Sequence, residues 1–299
     1  MGHHHDHQVK NYNKAFAFGI ALNIVFVLVE IGYGIAADSL ALIADAGHNF
    51  SDVLSLILAW GASYLASRAA TDKRTYGYRK ATILASLANA ILLLFALGAI
   101  AWEAIGRLWS PQPVQGWTVI WVAGIGVIIN TVTALLFLSG QKEDLNIRGA
   151  FLHMAADAAI SLGVALGGAI ILWTGWLLVD PLLSLLIVLM ILWATWSLLR
   201  ESMNLAIDSV PNGTDLEGIR RFLKEQKGVL QLHDLHVWAL STSEVALSAH
   251  LVVEKECDCS DLLQKAQREL HDTFGIEHST IQLEPSSNWE CPLNGKTLL

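Results

Sequence analysis

Residues 117–139 read WTVIWVAGIGVIINTVTALLFLS, a run of 23 residues without one charged side chain. A helix that spans a lipid bilayer needs about 20 such residues. Residues 181–199 form a second uncharged run of 19 residues. Across the 299 residues, 54% are hydrophobic and 15% are charged, whereas about a quarter are charged in ordinary globular domains. This composition excludes a disordered chain, and the spacing of the charges predicts a protein that lies in a lipid bilayer.

Working outward from these two runs, the apolar stretches predict a membrane all-α bundle of six transmembrane helices. They cover residues 14–36, 40–67, 81–108, 117–139, 148–176 and 178–200. Because six is even, both chain ends lie on one side. The loop at residues 68–80 holds five Lys or Arg residues, whereas the loop at residues 110–116 holds none. The positive-inside rule therefore predicts a multi-pass protein of the cytoplasmic (inner or plasma) membrane with cytoplasmic N- and C-termini.

Charge divides the chain into two parts. Residues 1–200 carry 11 Lys and Arg against 11 Asp and Glu, whereas residues 201–299 carry 8 against 16. Because affinity for nucleic acid rests on Lys and Arg, we expect no nucleic-acid partner for this acidic tail. We assign residues 1–13 to a His-rich cytoplasmic N-terminal tail, 14–200 to the transmembrane domain, 201–210 to a linker, 211–286 to a cytoplasmic domain, and 287–299 to a C-terminal tail.

Helices alternate with strands in the acidic part. The pattern predicts a helix at residues 213–227, strands at 229–240 and 245–254, a helix at 261–274 and a last strand at 280–284. This αββαβ order is typical of a small two-layer α+β domain. The cysteines, an odd number, form no obvious disulfide framework and favour a reducing compartment.

Two copies of one motif, His-x-x-x-Asp, lie inside predicted membrane helices. The second helix contains HNFSD from His48 to Asp52, and the fifth contains HMAAD from His153 to Asp157. Ionisable groups are costly in hydrocarbon, so each is a functional candidate. Positions i and i+4 of a helix share one face, about 6 Å apart along the axis. Each motif therefore presents an imidazole and a carboxylate toward a common point.

Two such helices that face each other offer two imidazole nitrogens and two carboxylate oxygens. This set suits tetrahedral Zn²⁺, whereas Mg²⁺ prefers six oxygen ligands. The alternative is that each His and Asp satisfies the other, or a backbone group, inside the bundle; the repetition of the motif favours the metal site. Asp45, one turn before His48, is a candidate for ion entry or for support of the ligands. Glu30 is interpreted as an interhelical hydrogen-bonding group.

Further motifs accompany this pair and extend over nearly the whole chain. They are Tyr76-Gly77-Tyr78-Arg79-Lys80, Asp180-Pro181, His233-Asp234-Leu235-His236-Val237-Trp238 and Thr280-Ile281-Gln282. With these motifs the chain resembles the cation diffusion facilitator family of proton-coupled divalent-metal exporters. The resemblance implies a transport site made by His48, Asp52, His153 and Asp157, a homodimer, and a ferredoxin-like cytoplasmic domain. Two His and two Asp at that site resemble the zinc-preferring branch of the family.

The chain departs from the family pattern before the third predicted helix. Some relatives with Asp in the place of His48 also carry histidines in the preceding loop as an extra metal site, but Arg74 and Tyr78 stand here. We therefore predict no metal site in that loop. Thr82 stands where many relatives carry a glutamate, which leaves open any ion pair or regulatory contact at this position.

The acidic tail holds a second set of candidate metal ligands. Resemblance to family members with the same His-Asp-Leu-His motif favours a regulatory zinc cluster. Residues i and i+3 of a strand face opposite sides, so we expect His233 and His236 not to share one metal ion. Histidines satisfied by neighbouring groups are the alternative. The favoured ligands are His236, His250, His278 and Glu284, with His233, Cys257, Cys259 and Cys291 as further candidates.

The N-terminus carries a short tract of histidines that could collect Zn²⁺ near the cytoplasmic mouth. The alternative is the remnant of an affinity tag. The tract consists of His3, His4, His5 and His7, with Asp6 between the last two.

These residues predict a Zn²⁺/H⁺ antiporter that works by alternating access, with Zn²⁺ as its substrate and as the ligand of its cytoplasmic domain. Protons compete with the metal because binding requires neutral imidazole and ionised carboxylate. An intramembrane zinc metalloenzyme is one alternative, although neither His-Glu-x-x-His nor Gly-x-Ser-x-Gly occurs. A membrane-bound zinc sensor without flux is another. The residues leave open the selectivity among Zn²⁺, Cd²⁺, Co²⁺ and Mn²⁺ and the number of protons exchanged.

Overall fold

The computed structural model describes residues 13–138 and 145–286, which contain eight helices and three strands. The first six elements are the helices α1 (Asn13–Ala37), α2 (Leu40–Ala66), α3 (Ala81–Trp109), α4 (Gly116–Phe137), α5 (Leu145–Thr174) and α6 (Val179–Ala206). They are followed by α7 (Leu216–Lys224), β1 (Val229–Ala239), β2 (Val245–Val253), α8 (Cys259–Asp272) and β3 (Ile276–Pro285).

The helices α1 to α6 form a multi-pass membrane part. By length and composition, α3, α4, α5 and α6 can each cross a bilayer, and the apolar part of α1 among the residues searched is Asn23–Ala37. Large apolar side chains cover the outside of these helices: Phe95, Trp102 and Trp193 are 77, 81 and 84% exposed. Exposed apolar surface of this extent marks a surface that contacts lipid.

The predicted helix ends agree with the observed ones to within a few residues at most positions. The main difference is α6, which continues to Ala206 and so enters the segment that we assigned to a linker. A hydrogen bond of 2.8 Å between the hydroxyl groups of Ser86 and Ser202 accompanies this extension. Polar residues can continue a helix past the apolar run, so hydrophobicity does not mark its end.

Residues up to 57 and residues 89–196 form one compact unit. Its core contains fully or nearly fully buried apolar side chains from several helices, among them Leu42 on α2, Val119 on α4 and Val164 on α5. Close packing of α4 against α5 depends on glycine, because a Cβ atom at Gly168 would lie 2.9 Å from Cγ1 of Val119. This unit contains both His-x-x-x-Asp motifs.

Residues 58–88 and the chain from residue 197 onward form the second unit, which contains the α+β domain. The sheet order is β1-β2-β3, with β1 antiparallel and β3 parallel to β2. The predicted αββαβ order is confirmed. The last strand is longer than the predicted segment 280–284, because β3 pairs with β2 from Ile276 to Pro285.

Both helices of this domain pack on one face of the sheet. Ile219 of α7 and Leu270 of α8 are buried in a core that also contains Leu247, Ala249 and Leu251 of β2. Because successive strand residues alternate between faces, the intervening residues of β2 point to the other face. His250 is one of these residues, so the opposite face of the sheet carries the candidate ligands.

Candidate metal centres

The two His-x-x-x-Asp motifs come together across α2 and α5, and each histidine lies beside the aspartate of the other motif. His48 Nε2 is 3.2 Å from Asp157 Oδ1, and His153 Nε2 is 3.2 Å from Asp52 Oδ2. His153 Nε2 also lies 3.7 Å from Asp157 Oδ2. The i, i+4 spacing in each helix therefore brings the two motifs into contact, with His153 beside both aspartates and His48 beside Asp157.

Three of these four side chains form a group that could hold one small cation, and His153 lies beside that group. One ligand atom each from His48, Asp52 and Asp157 lies within 4.8 Å of the other two. The rings of His48 and His153 are nearly perpendicular, with centroids 6.1 Å apart. Ligands of tetrahedral zinc lie about 3.4 Å apart when each is about 2.1 Å from the metal. The three His–Asp distances bracket that spacing.

Exposure differs strongly around this centre. The Asp157 side chain is 2% exposed and His48 is 19% exposed, whereas His153 is 42% and Asp52 is 37% exposed. One side of the site is thus closed by protein and the other is open.

Asp45 lies outside this group of four. It is fully buried, and its Oδ2 accepts a hydrogen bond of 2.8 Å from the hydroxyl group of Ser161 on α5. The sequence suggested ion entry or ligand support for this residue, and its burial places it away from the open side of the site. Among the described residues, no hydrogen bond or ion pair joins its carboxylate directly to one of these four side chains.

Asp180 holds the beginning of α2, a role that sequence reasoning missed. Its carboxylate accepts hydrogen bonds from the backbone N–H groups of Leu40 and Ala41 and from the hydroxyl group of Ser39. These are donors that a helix leaves unpaired at its N-terminus. The only signal in the sequence is an acidic residue directly before a proline, Asp180-Pro181, at the edge of an apolar run.

A second centre lies on the sheet of the α+β domain, on the face opposite the helices. His233 and His250 are paired residues of β1 and β2, and their rings are 5.2 Å apart. Glu284 of β3 is 3% exposed and contacts both: its Oε1 is 2.9 Å from His250 Nδ1 and its Oε2 is 3.4 Å from His233 Nε2. One ligand atom of each residue lies within 4.8 Å of the other two.

A β-bulge changes which side chains of β1 share a face. His233 pairs with His250 and His236 pairs with Ser248, so three steps on β1 match two steps on β2. The expectation that His233 and His236 face opposite sides is therefore wrong. Asp234, with φ of 52°, lies in the bulge and contacts a histidine on each of the two strands. Its Oδ1 is 2.9 Å from His236 Nε2 and its Oδ2 is 3.6 Å from His250 Nε2.

His278 is not brought to this second centre. It pairs with Ala246, four residues before His250 on β2, and its ring meets the ring of Tyr76 edge-on at 5.5 Å. The resemblance to family members with the same His-Asp-Leu-His motif had favoured His278 as a ligand, and the register of β3 against β2 keeps it four residues away from His250.

The cysteines of the described residues lie beyond the end of β2. Burial, followed by the neighbouring Cys259, raises the pKa of the Cys257 thiol, which keeps it protonated near neutral pH and weakens it as a metal ligand. Neither Cys257 nor Cys259 belongs to the group of His233, His250 and Glu284. The remaining candidates, Cys291, His3, His4, His5 and His7, lie outside the described residues.

The loop between α2 and α3 contacts the α+β domain within the second unit. Lys80 Nζ is 2.6 Å from Asp208 Oδ1, and Arg79 Nη1 is 3.4 Å from Glu244 Oε2. The Thr82 hydroxyl accepts a hydrogen bond of 3.1 Å from the backbone N–H of Thr242. Thr82 thus makes a neutral contact at the position where many relatives carry a charge.

Two family models match this chain over almost its whole length. The cation efflux transmembrane domain matches residues 17–205, and the cytoplasmic domain of cation efflux proteins matches residues 211–286. The chain belongs to the cation efflux family. This finding confirms the resemblance to cation diffusion facilitators that the motifs indicated.

Named relatives of the cation efflux family align with nearly the full chain. The metal cation efflux system protein CzcD of Cupriavidus metallidurans is 38% identical over 95% of this chain and 90% of its own length. The zinc transporter ZitB of Escherichia coli is 36% identical over 98% and 96%, respectively. A protein of Bacillus velezensis named cadmium, cobalt and zinc/H⁺–K⁺ antiporter is 33% identical over 96% and 93%.

Cation efflux proteins are metal transporters and not enzymes, so membership in the family bears on one of the alternatives that the sequence left open. The intramembrane metalloenzyme is set aside. The chain is a multi-pass membrane protein of a family that transports metal cations, and its two candidate centres lie one in each matched domain.

Proposed function

We propose that this protein exports Zn²⁺ from the cytoplasm in exchange for protons. The observation that carries the proposal is the contact between the two motifs: three His–Asp distances of 3.2 to 3.7 Å join His48, Asp52, His153 and Asp157. The names of the relatives support it, since they describe metal efflux, zinc transport and exchange of cadmium, cobalt and zinc for protons and potassium.

Ligand chemistry favours zinc over harder cations. Two neutral imidazoles and two carboxylates satisfy a four-coordinate, borderline-soft ion. Mg²⁺ and Ca²⁺ prefer six or more oxygen ligands, which this centre does not offer among the described residues. The two carboxylates also neutralise the double charge of the ion inside a low-dielectric region.

Protons provide a means of release. Zinc needs deprotonated imidazole and carboxylate, so protonation of any ligand lowers the affinity. Zinc binds from the cytoplasm, the helices change their exposure, and protons from the other side displace the ion. The protonated ligands then return inward, which completes one cycle of alternating access.

Exchange for protons also reduces the electrical cost of export. Moving a doubly charged ion outward across an inside-negative membrane costs about 4.6 kcal/mol per 100 mV, because each charge contributes about 2.3 kcal/mol. One returning proton offsets half of this cost and two protons offset all of it. A pH gradient, acidic outside, adds further driving force.

The proposal includes an orientation in the cytoplasmic membrane. Residues 14–200 form the transmembrane domain, and the termini and residues 211–286 are cytoplasmic. The excess of Lys and Arg in the loop at residues 68–80 supports this orientation. The match of residues 211–286 to the cytoplasmic domain of cation efflux proteins supports the same arrangement.

We assign a regulatory role to the second centre. His233, His250 and Glu284 form the core of a zinc site, with Asp234 and His236 beside it. Binding of zinc at this face stabilises pairing with a second copy of the chain, which makes the protein a homodimer. This centre also supports a second candidate function, a zinc sensor without flux, because it could bind zinc independently of transport.

Flux measurements separate these functions. The purified full-length chain is reconstituted in vesicles, with a zinc-sensitive dye and a pH-sensitive dye enclosed, and a pH gradient is applied. We expect zinc movement coupled to opposite proton movement in the wild type. His153→Ala should abolish both, whereas the same substitution at His271, an exposed residue of α8, should leave both intact.

Each alternative outcome has a separate meaning. Zinc binding without flux in the wild type would favour the sensor. Wild-type zinc flux in the His153→Ala variant would remove His153 from the proposed transport site.

A further inference from the structure

Two buried carboxyl groups lie apart from the four proposed zinc ligands. Glu30 on α1 and Asp45 on α2 are each 0% exposed. Asn49, which is hydrogen-bonded to Glu30, follows Asp45 by four residues on α2, so the two carboxyl groups lie beside the same face of that helix. The exchange mechanism described above uses neither of them, although an isolated buried carboxylate is costly.

Each of these carboxyl groups receives one neutral donor. Asn49 Nδ2 donates a hydrogen bond of 3.2 Å to Glu30 Oε2, and Ser161 Oγ donates one of 2.8 Å to Asp45 Oδ2. The other two oxygens, Glu30 Oε1 and Asp45 Oδ1, are buried and have no donor within the described ranges 13–138 and 145–286. No Lys, Arg or His ion pair involving either carboxyl group is found in these ranges.

Protonation of one of the two carboxyl groups would stabilise this arrangement. Two ionised carboxylates at close range in a low-dielectric interior repel each other, and neither can donate a hydrogen bond. If one of them is protonated, its O–H donates to the other. Both remaining oxygens are then satisfied and the repulsion is removed. This is the logic by which paired carboxyl groups in a shared site hold one proton.

We propose that Glu30 and Asp45 form a proton-binding pair that carries one of the exchanged protons, separately from the zinc ligands. The inference rests on the proposed function and deepens it. A divalent metal is a poor occupant, because two carboxyl groups and two neutral side chains leave a harder ion short of its six ligands. A proton needs only the two facing oxygens.

The carboxyl pair lies near the proposed zinc ligands, so its charge can interact with bound zinc although neither residue of the pair is a ligand. Asp45 precedes the ligand His48 by three residues on α2, and its donor Ser161 follows the ligand Asp157 by four residues on α5. The titratable groups that act electrostatically on Asp45 are His48 and Asp157, while Glu30 is acted on by Asp45. The charge of bound zinc therefore favours loss of the proton from the pair, and departure of zinc favours its return.

Vesicle measurements test the pair through the ratio of protons to zinc. The variants are Glu30→Gln, Asp45→Asn and the double substitution, with Glu103→Gln as a control at an exposed position near the end of α3. Each amide keeps the shape of the carboxyl group and cannot release a proton. We expect each single variant to move about one proton fewer per zinc ion, and the double variant to lose no more, because both groups hold the same proton.

Equilibrium zinc binding by the same full-length proteins controls for folding. We expect the single variants still to bind zinc at the four-ligand site, because neither residue is a ligand, and their affinity should vary less steeply with pH than that of the wild type, because zinc no longer displaces the proton of the pair. An unchanged proton-to-zinc ratio in Glu30→Gln would overturn the proposal. A ratio that changes only when potassium is present would overturn it as well, because the occupant would then be an alkali cation.

Infrared difference spectroscopy in detergent tests the pair without transport. We expect a C=O stretching band of a protonated carboxyl group that weakens on zinc addition and is lost in Glu30→Gln and in Asp45→Asn. If the wild type shows this band but moves no zinc, the proposed function fails and the pair stands. If the wild type exchanges zinc for protons and the Glu30→Gln variant retains the band, the pair fails and the proposed function stands.

Discussion

The Asp180 carboxylate at the start of α6 accepts a hydrogen bond of 2.8 Å from the backbone N–H of Leu40, the first residue of α2. The same carboxylate accepts from Ala41 N–H and from the Ser39 hydroxyl group. A side chain far along the chain thus caps the helix that carries two of the four proposed zinc ligands. The cap sets where α2 begins and how it is rotated, and so positions those ligands relative to α5.

Removal of this cap should affect stability and zinc binding together. In Asp180→Ala, buried N–H groups lose their acceptor, and we expect a loss of about 2–4 kcal/mol in the free energy of unfolding. Zinc affinity should fall about 10–100-fold, as it does when groups that orient metal ligands are removed. Thermal unfolding in detergent and equilibrium zinc binding measure the two effects.

A matched control is the N-terminal cap of α7, where Asp215 accepts one hydrogen bond of 2.8 Å from Gly218 N–H. Asp215→Ala should cost about 1 kcal/mol and leave zinc affinity at the membrane site unchanged. Wild-type stability and zinc affinity in Asp180→Ala would show that the cap does not position α2.

The second centre gives a prediction that separates two histidines of one sheet. His250→Ala should lower the affinity of the cytoplasmic site by at least about tenfold, because it removes a central ligand. His278→Ala should leave that affinity within about twofold, because His278 lies against Tyr76 and not against Glu284. Zinc titration of the two full-length variants checks this, and equal losses in both would contradict the assignment of the ligands.

The helices of the membrane part were largely predictable because each is marked by one continuous stretch of the sequence. A run of apolar residues as long as a bilayer is thick marks a helix without knowledge of its neighbours. The same holds for the His-x-x-x-Asp motifs, since helix periodicity alone places His48 and Asp52 on one face. That α2 and α5 bring the motifs together is a tertiary fact, and only the repetition of the motif indicated it.

The second centre was harder to predict because it depends on strand register. One extra residue in β1 moves His233 and His236 to the same face, and the sequence carries no obvious mark of the bulge at Asp234. The early start of β3 at Ile276 was hidden for a similar reason, since Glu277 and His278 do not resemble a buried strand. Parallel pairing with β2 decides both the length of β3 and the position of His278.

Acidification should release zinc from the membrane site. Bound zinc requires deprotonated ligands, so the apparent affinity falls as pH falls, by about tenfold per pH unit for each proton that binding displaces. The measurement is a zinc titration at several pH values in a His250→Ala background, which weakens the cytoplasmic site. An affinity that does not vary with pH would contradict proton competition at His48 and His153.

The ion pair between Lys80 and Asp208 should contribute little to stability and should be sensitive to salt. Both side chains are about half exposed, at 47 and 56%, although the N···O distance is 2.6 Å. Exposed pairs of this kind contribute about 0.2–1 kcal/mol, and screening weakens them further. A double-mutant cycle with Lys80→Ala and Asp208→Ala should give a coupling in that range at low salt and close to zero at high salt.

The pair Lys265–Asp261, which lies within α8 at 2.7 Å with both side chains more than half exposed, provides the comparison. Its i, i+4 coupling should have a similar size, about 0.3–0.5 kcal/mol, and the same salt dependence. The two pairs differ in what they connect, because Lys80 joins the loop before α3 to the segment after α6. Loss of Lys80 should therefore change the zinc flux in vesicles, while Lys265→Ala should not. A coupling well above 1 kcal/mol for Lys80 and Asp208 that persists at high salt would contradict the screened, exposed character of the pair.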